Sequence, residues 1–172
     1  MLVQQGKYNY LMNCSIPVNY NVRLSEAIQV GGYDVVCQNI REEKFPLQAG
    51  ETGLKYLVPG IFQFDTQLSL EEIISAMDQE YYRPATLREL LSFDRNSKCS
   101  QIKDEIHLVA LGQSYTTVKP LRFVPILGRD REDENKVTLG VREVTLLESR
   151  FGFLGFVTLD ALRALRDSAS AL

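Results

Sequence analysis

The chain has 172 residues, 45% hydrophobic and 24% charged, with 6 prolines and 11 glycines. This is the composition of one globular domain, and it excludes collagen, low-complexity disorder and disulfide-dense miniature scaffolds; at this length roughly 70% of the unfolded surface is buried, so no metal or disulfide staple is needed. Nineteen basic against 22 acidic side chains leave a net charge of −3, the opposite of a nucleic-acid binder's basic footprint.

In chain order, Met1 to Lys7 carries no basic region followed by an apolar run, and no stretch approaches the roughly 20 apolar residues that cross a bilayer. The expectation is a soluble, cytoplasmic protein with no membrane partner. Ile16, Val18 and Tyr20 alternate with Ser15, Pro17 and Asn19, the period of a half-buried strand, and Pro17 puts that strand at an edge. Residues 24–30 read as a short helix closed by Gly31-Gly32, residues 33–37 as a short apolar strand, and residues 41–53 as a loop. Residues 54–64 are apolar and aromatic but broken at Pro59-Gly60, which predicts two short strands about a turn or bulge.

Ser69-Leu70-Glu71-Glu72 is a capping box, with Leu68 and Ile73 as its staple, and it starts a helix that runs to about Glu80 with Ile73, Ile74 and Met77 facing a core. Pro84 disfavours helix at Arg83. Thr86-Leu87-Arg88-Glu89 is a second capping box, opening a helix that turns Leu87, Leu90, Leu91 and Phe93 inward. Past a polar stretch, strands are predicted over 106–111, 121–127, 137–147 and 151–157; a phase shift in the third, between Val141 and Val144, suggests a bulge near Glu143. Thr158 can cap a last short helix with Leu159, Leu162 and Leu165 on one face, and residues 168–172 are expected to fray. The expected core includes Ile73, Met77, Leu87, Leu90, Leu91, Val109, Leu111, Val124 and Phe156.

Candidate chemistry is sparse. Cys14, Cys37 and Cys99 have neither CxxC spacing nor an even count, so reduced, partly buried thiols are expected and a zinc site is not. His107, the single histidine, sits in an apolar run on one face with Val109 and Leu111; the expectation is a partly buried ring bonded to a backbone group. An enzyme would need a carboxylate or cysteine beside it. Gly112-Gln113-Ser114 could present amides to an anion but reads as an ordinary turn, and the charged run 129–134 reads as a solvated hairpin tip. Arg83, Arg88 and Arg122 could form an anion pocket only if the fold gathers them. Tyr81, Tyr82 and Arg83 lie in the corner between the two capped helices and are residue types enriched at binding hot spots, against the simpler alternative of a corner that packs its own tyrosines.

Tyr82-Arg83-Pro84-Ala85-Thr86-Leu87-Arg88-Glu89-Leu90-Leu91, then Leu108-Val109-Ala110-Leu111-Gly112, then Arg122-Phe123-Val124-Pro125-Ile126-Leu127 resemble a family of uncharacterised bacterial proteins that read G-Y-R-P-A-T-x-x-E-L-L, I-V-A-L-G-S and R-x-V-P-x-L in that order. Tyr33-Asp34-Val35-Val36 and Phe45-Pro46 fit the same order, so the resemblance spans about residues 18–157. It implies a fold and carries no activity. The chain departs from it at the end, where members carry tryptophan and an R-F-x-x-V-R close; here there is no tryptophan, and Gly155-Phe156-Val157-Thr158 stands instead. Tyr82 to Thr86 before a helix, with Gly155-Phe156-Val157 in a late strand, is also similar to the patterns of formylglycine-generating and C-type-lectin-like domains. Lectin calcium ligands and the paired active-site cysteines are not recognisable, so only a fold is implied.

These readings converge on one α+β domain over residues 1–172: a mixed or mainly antiparallel sheet with the two capped helices packed on one side and a short C-terminal helix, C-type-lectin-like in the remoter resemblance. The leading functional expectation is a non-catalytic protein-binding or assembly module with no cofactor and no metal, contacting a protein partner through Tyr81, Tyr82, Arg83 and Arg122. A small-molecule or glycan binder and an enzyme with a site near His107 are the alternatives. Self-association, or a place in a larger complex, is expected from the aromatic strands of 54–64 and 151–157, read as exposed apolar edge, with the uncharged segment 151–156 as the main reason unless the last helix covers it.

Overall fold

The computed structural model describes residues 7–11, 14–96, 106–130 and 132–158. In chain order its elements are β1 (Lys7–Leu11), β2 (Ile16–Asn19), α1 (Leu24–Gly31), β3 (Val35–Val36), β4 (Leu54–Leu57), β5 (Pro59–Phe64), α2 (Leu70–Gln79), β6 (Tyr82–Pro84), α3 (Leu87–Arg95), β7 (Leu108–Val109), β8 (Tyr115–Thr116), β9 (Arg122–Arg129), β10 (Val137–Glu143) and β11 (Gly152–Val157). This is an α+β fold. Nine strands make one sheet in the order β1-β5-β11-β7-β9-β10-β3, with β6 added to β11 and β8 to β9, while β2 and β4 form a separate ribbon. The sheet is mixed: β11 runs parallel to β7, and β10 parallel to β3.

Both capping boxes form. Ser69 Oγ accepts the Glu72 N–H at 3.2 Å and Glu72 Oε2 accepts the Ser69 N–H at 2.8 Å, fixing the start of α2. Gly32 closes α1 in the left-handed region, with φ of 64°, where a side chain would be strained. The third predicted strand has no bulge. β10 ends at Glu143 and a 3-10 turn over Val144–Leu146 follows, so the phase shift marks a strand end, and Val144 and Leu147 reach the core from the turn.

Pleating divides the core in two. Phe62, Phe64, Val109, Val124 and Phe153 face one way and meet Ile73 and Met77 of α2. Ile61, Leu108, Leu127, Leu139, Leu154 and Phe156 face the other way and meet α1, α3 and the inner residues Ile16 and Val18 of the ribbon. The two capped helices therefore lie on opposite faces, where one-sided packing was expected. The reason is visible in β11 and β5, where Phe153 against Leu154 and Phe156, and Phe62 and Phe64 against Ile61, send large apolar side chains to both faces; central strands of that kind need cover on both faces.

Segment 151–156 is not an exposed edge either. Phe151, Phe153 and Phe156 are buried because β11 is an interior strand, held by β5 on one side and by β7 and β6 on the other. The exposed apolar edge that motivated self-association is absent from this segment. The predicted last helix lies outside the described residues, as does Cys99.

Candidate functional site

Residue 89 is fully buried and is the centre of a polar arrangement. Thr86 caps α3, so Glu89 sits one turn in, and its side chain turns back toward the cap. Both carboxylate oxygens are filled twice. Oε1 accepts the Tyr20 hydroxyl at 2.5 Å and Arg83 Nη2 at 2.6 Å; Oε2 accepts Arg83 Nη1 at 2.9 Å and the Thr86 N–H at 2.8 Å. An ionised carboxylate has about four lone-pair sites, so Glu89 has none left for a substrate proton. The bidentate pair with Glu89 holds the Arg83 guanidinium above its usual value, and burial followed by the Glu89 bond pushes the Tyr20 phenol up. This is a structural clamp on a charge, with no free base in it.

The clamp continues into the loop before β4. The Thr86 hydroxyl donates to Glu51 Oε1 at 2.5 Å, and the other oxygen of Glu51 accepts the Gln48 N–H at 2.6 Å. Gln113 accepts the first N–H of α3, from Leu87, at 3.1 Å and donates to the Pro46 carbonyl at 2.5 Å. Gly112 beside it lies against backbone: a Cβ there would stand 2.7 Å from the Ala85 carbonyl oxygen. The Gly112-Gln113 turn thus serves the helix start as the ordinary turn it was read to be, with the Gly112 N–H bonded to the Ala85 carbonyl at 2.8 Å.

The predicted contact residues separate. Tyr81 is 63% exposed and has φ of 63°, the one non-glycine residue with positive φ among the described residues. Tyr82, at the surface in the contact reading and inside in the packed-corner alternative, is core: its ring meets Phe62 edge to face at 5.2 Å, because the short strand β6 alternates and turns residue 82 toward α2. Arg83 points to the opposite face, over the Phe156 ring and into Glu89. Arg122 begins β9, exposed, in a groove at the start of α2 that Glu71 and Glu143 also line. Arg88 joins neither of them; it bonds the Val22 carbonyl and Glu42. The three arginines do not form one pocket.

His107 behaves as expected. Its Nε2 donates to the Arg129 carbonyl at 2.9 Å and its ring leans on Phe151. Among the described residues no carboxylate or thiol is bonded to it. Asp130, across the same depression, is engaged by the Glu132 and Asp133 N–H groups, which hold its carboxyl below the usual range. Among the described residues no group of three or more His, Cys, Asp or Glu side chains could hold a metal ion, and no helix is long and apolar enough to cross a membrane.

The sequence named Glu89 only as the capping-box partner of Thr86, Gln113 only in a turn and Tyr20 only in a strand, and it did not single out Glu51; none was expected in a polar cluster. One signal existed for Glu89: it precedes Phe93 by one helical turn, and so shares the stripe that Phe93 carries inward. The fold and site define an α+β domain with a buried, saturated carboxylate paired to a part-exposed arginine, and no assembled catalytic group among the described residues. Compared with known proteins, the chain matches no protein-family model, no curated protein and no solved structure.

Proposed function

We propose that this is a non-catalytic module that binds a protein partner, with Tyr81 as the anchor of its contact surface. The observation that supports this is the backbone of Tyr81. Position 81 follows the end of α2 in the left-handed conformation that glycine adopts without cost and that strains a residue bearing a Cβ. The ring it carries is not repaid by burial, since 63% of the residue is exposed. A large aromatic held strained and outside the core is the pattern of a residue kept for contact, and tyrosine supplies such contact with little side-chain entropy to lose. The saturation of Glu89 and the backbone bond of His107 support the non-catalytic half of the reading.

Tyr81→Gly separates the two roles of the position. The variant is expected to be at least as stable as the parent, by about 0 to 1 kcal/mol, because relief of the left-handed strain offsets glycine's greater freedom when unfolded. It is expected to lose a partner that the parent retains in a co-purification from the native source. A variant that is destabilised by more than about 1 kcal/mol and still retains the partner would make Tyr81 a packing residue and refute the proposal.

A further inference from the structure

We propose a second site, distinct from the Tyr81 corner: the depression at the N-terminus of α1 binds a small organic anion, a carboxylate or phosphate on an apolar body, through Arg88. The depression has a volume of about 480 Å³, within the size of small-molecule sites. Val22, Leu24, Ile28, Ile40 and Leu47 give it apolar walls, and Arg88 lies at its side. Arg88 is only 6% exposed. Its Nη1 donates to the Val22 carbonyl and its Nη2 to Glu42 Oε1 at 2.6 Å, while Nε is buried with no partner.

That pattern leaves a fork half filled. Nε and Nη2 form the lateral edge of the guanidinium, the edge that a carboxylate or phosphate takes with two parallel bonds. Glu42 uses one prong. Glu42 belongs to a surface turn and its side chain is 49% exposed, so solvent can receive it when it leaves. An incoming anion would take both prongs and displace it.

The rim favours the same charge. Arg23, the N-cap of α1, makes no side-chain cap bond, and Arg23, Leu24 and Ser25 line the depression with Arg41, while Glu26 of the first turn is not among the lining residues. The open helix start adds a positive end to the guanidinium. Glu42 and Glu43 are the acids facing it, and Glu43 is held 3.8 Å from Arg41. Glu42 is thus an internal occupant that an external anion must outcompete, and the apolar walls give the rest of that ligand its place.

Titration of the full chain with hexyl phosphate and with hexanoate, against hexanol and inorganic phosphate, tests the site. Saturable binding of either amphiphilic anion is expected, with hexanol and inorganic phosphate much weaker; which anion binds more tightly identifies the head group. Glu42→Gln keeps the shape of the occupant and removes its charge, so it is expected to tighten binding about tenfold. Arg88→Lys keeps the charge without the fork and is expected to weaken it by a similar factor. Hexanol binding as tightly as the anions, no binding of either anion, or unchanged affinity in Glu42→Gln would each overturn the proposal. If Arg88→Lys does not fold, the Glu42→Gln comparison decides alone.

Discussion

Arg88 and Glu89 are consecutive on α3, both inside the protein and both charged, yet their surroundings are opposite. Glu89 receives four hydrogen bonds from Tyr20, Arg83 and Thr86 and belongs to a closed arrangement. Arg88 keeps one N–H without a partner and bonds a carboxylate that is itself half in solvent. Burial alone therefore says little about what a charged residue does. A saturated buried charge fixes the local fold, while an incompletely paired one next to a depression leaves room for something else.

The largest effect that can test this contrast is Glu89→Leu. It leaves the Tyr20 hydroxyl, the Thr86 N–H and the Arg83 guanidinium without their acceptor, and is expected to cost about 3 kcal/mol in urea unfolding, the lower end for breaking a buried pair because 41% of the Arg83 side chain reaches solvent. Adding Arg83→Met should recover part of the loss by removing the stranded charge. A cost below about 1 kcal/mol would mean that the pair is not a structural clamp.

Arg88→Met sharpens the comparison from the other side. Glu42 can turn to water and the methionine keeps most of the buried volume, so the expected cost is about 1 to 2 kcal/mol, chiefly the lost bond to the Val22 carbonyl. If Arg88→Met costs as much as Glu89→Leu, the two residues are equivalent structural charges and the contrast fails.

Much of the fold could be read from residues that act locally. The capping boxes at Ser69 and Thr86, the Gly31-Gly32 stop and the core residues Ile73, Met77, Leu87, Leu90, Leu91, Val109, Leu111, Val124 and Phe156 are all where spacing put them. What could not be read is set by partners distant in sequence. β6 and β8 have three and two residues and exist because β11 and β9 offer them a ladder, while the strands expected over 33–37 and 106–111 are cut to the two residues of β3 and β7 that find a partner. The opposite placement of α2 and α3 depends on which face of β11 each meets, and local periodicity does not carry that information.

The candidate site divides in the same way. Tyr81 and Arg83 could be named from their position in a helical corner. The fate of Tyr82 depended on the register of β6 against β11, which pairs it with Val157 and turns its ring to the Phe62 face. Glu89 resembles an ordinary capping-box residue until Tyr20, 69 positions earlier in sequence, is folded onto it. Long-range partners decide which polar groups are buried, so a polar cluster of this kind is the part of a site that local patterns conceal.

The smallest effect lies at Tyr20, and it depends on pH. Burial, then Glu89, holds its phenol above the ordinary value near 10, so the folded protein keeps a proton that the unfolded chain releases as pH climbs past 10. The stabilisation is complete below pH 10 and is lost as pH rises beyond it. Tyr20→Phe removes the hydroxyl, so at pH 7 it is expected to cost about 1 kcal/mol, the worth of one hydrogen bond to a carboxylate that keeps its other donors. Above pH 10 the parent should lose stability faster than the variant, by up to about 1.4 kcal/mol per pH unit for the one proton in question. The phenols of Tyr33, Tyr82 and Tyr115, also raised by burial, remain in both proteins and contribute equally to the two slopes. Urea midpoints measured from pH 7 to pH 11 should therefore converge for the two proteins. A gap that stays constant over that range would show that Glu89 and burial do not hold the proton on Tyr20, and the clamp would then consist of the Arg83 pair and the Thr86 N–H alone.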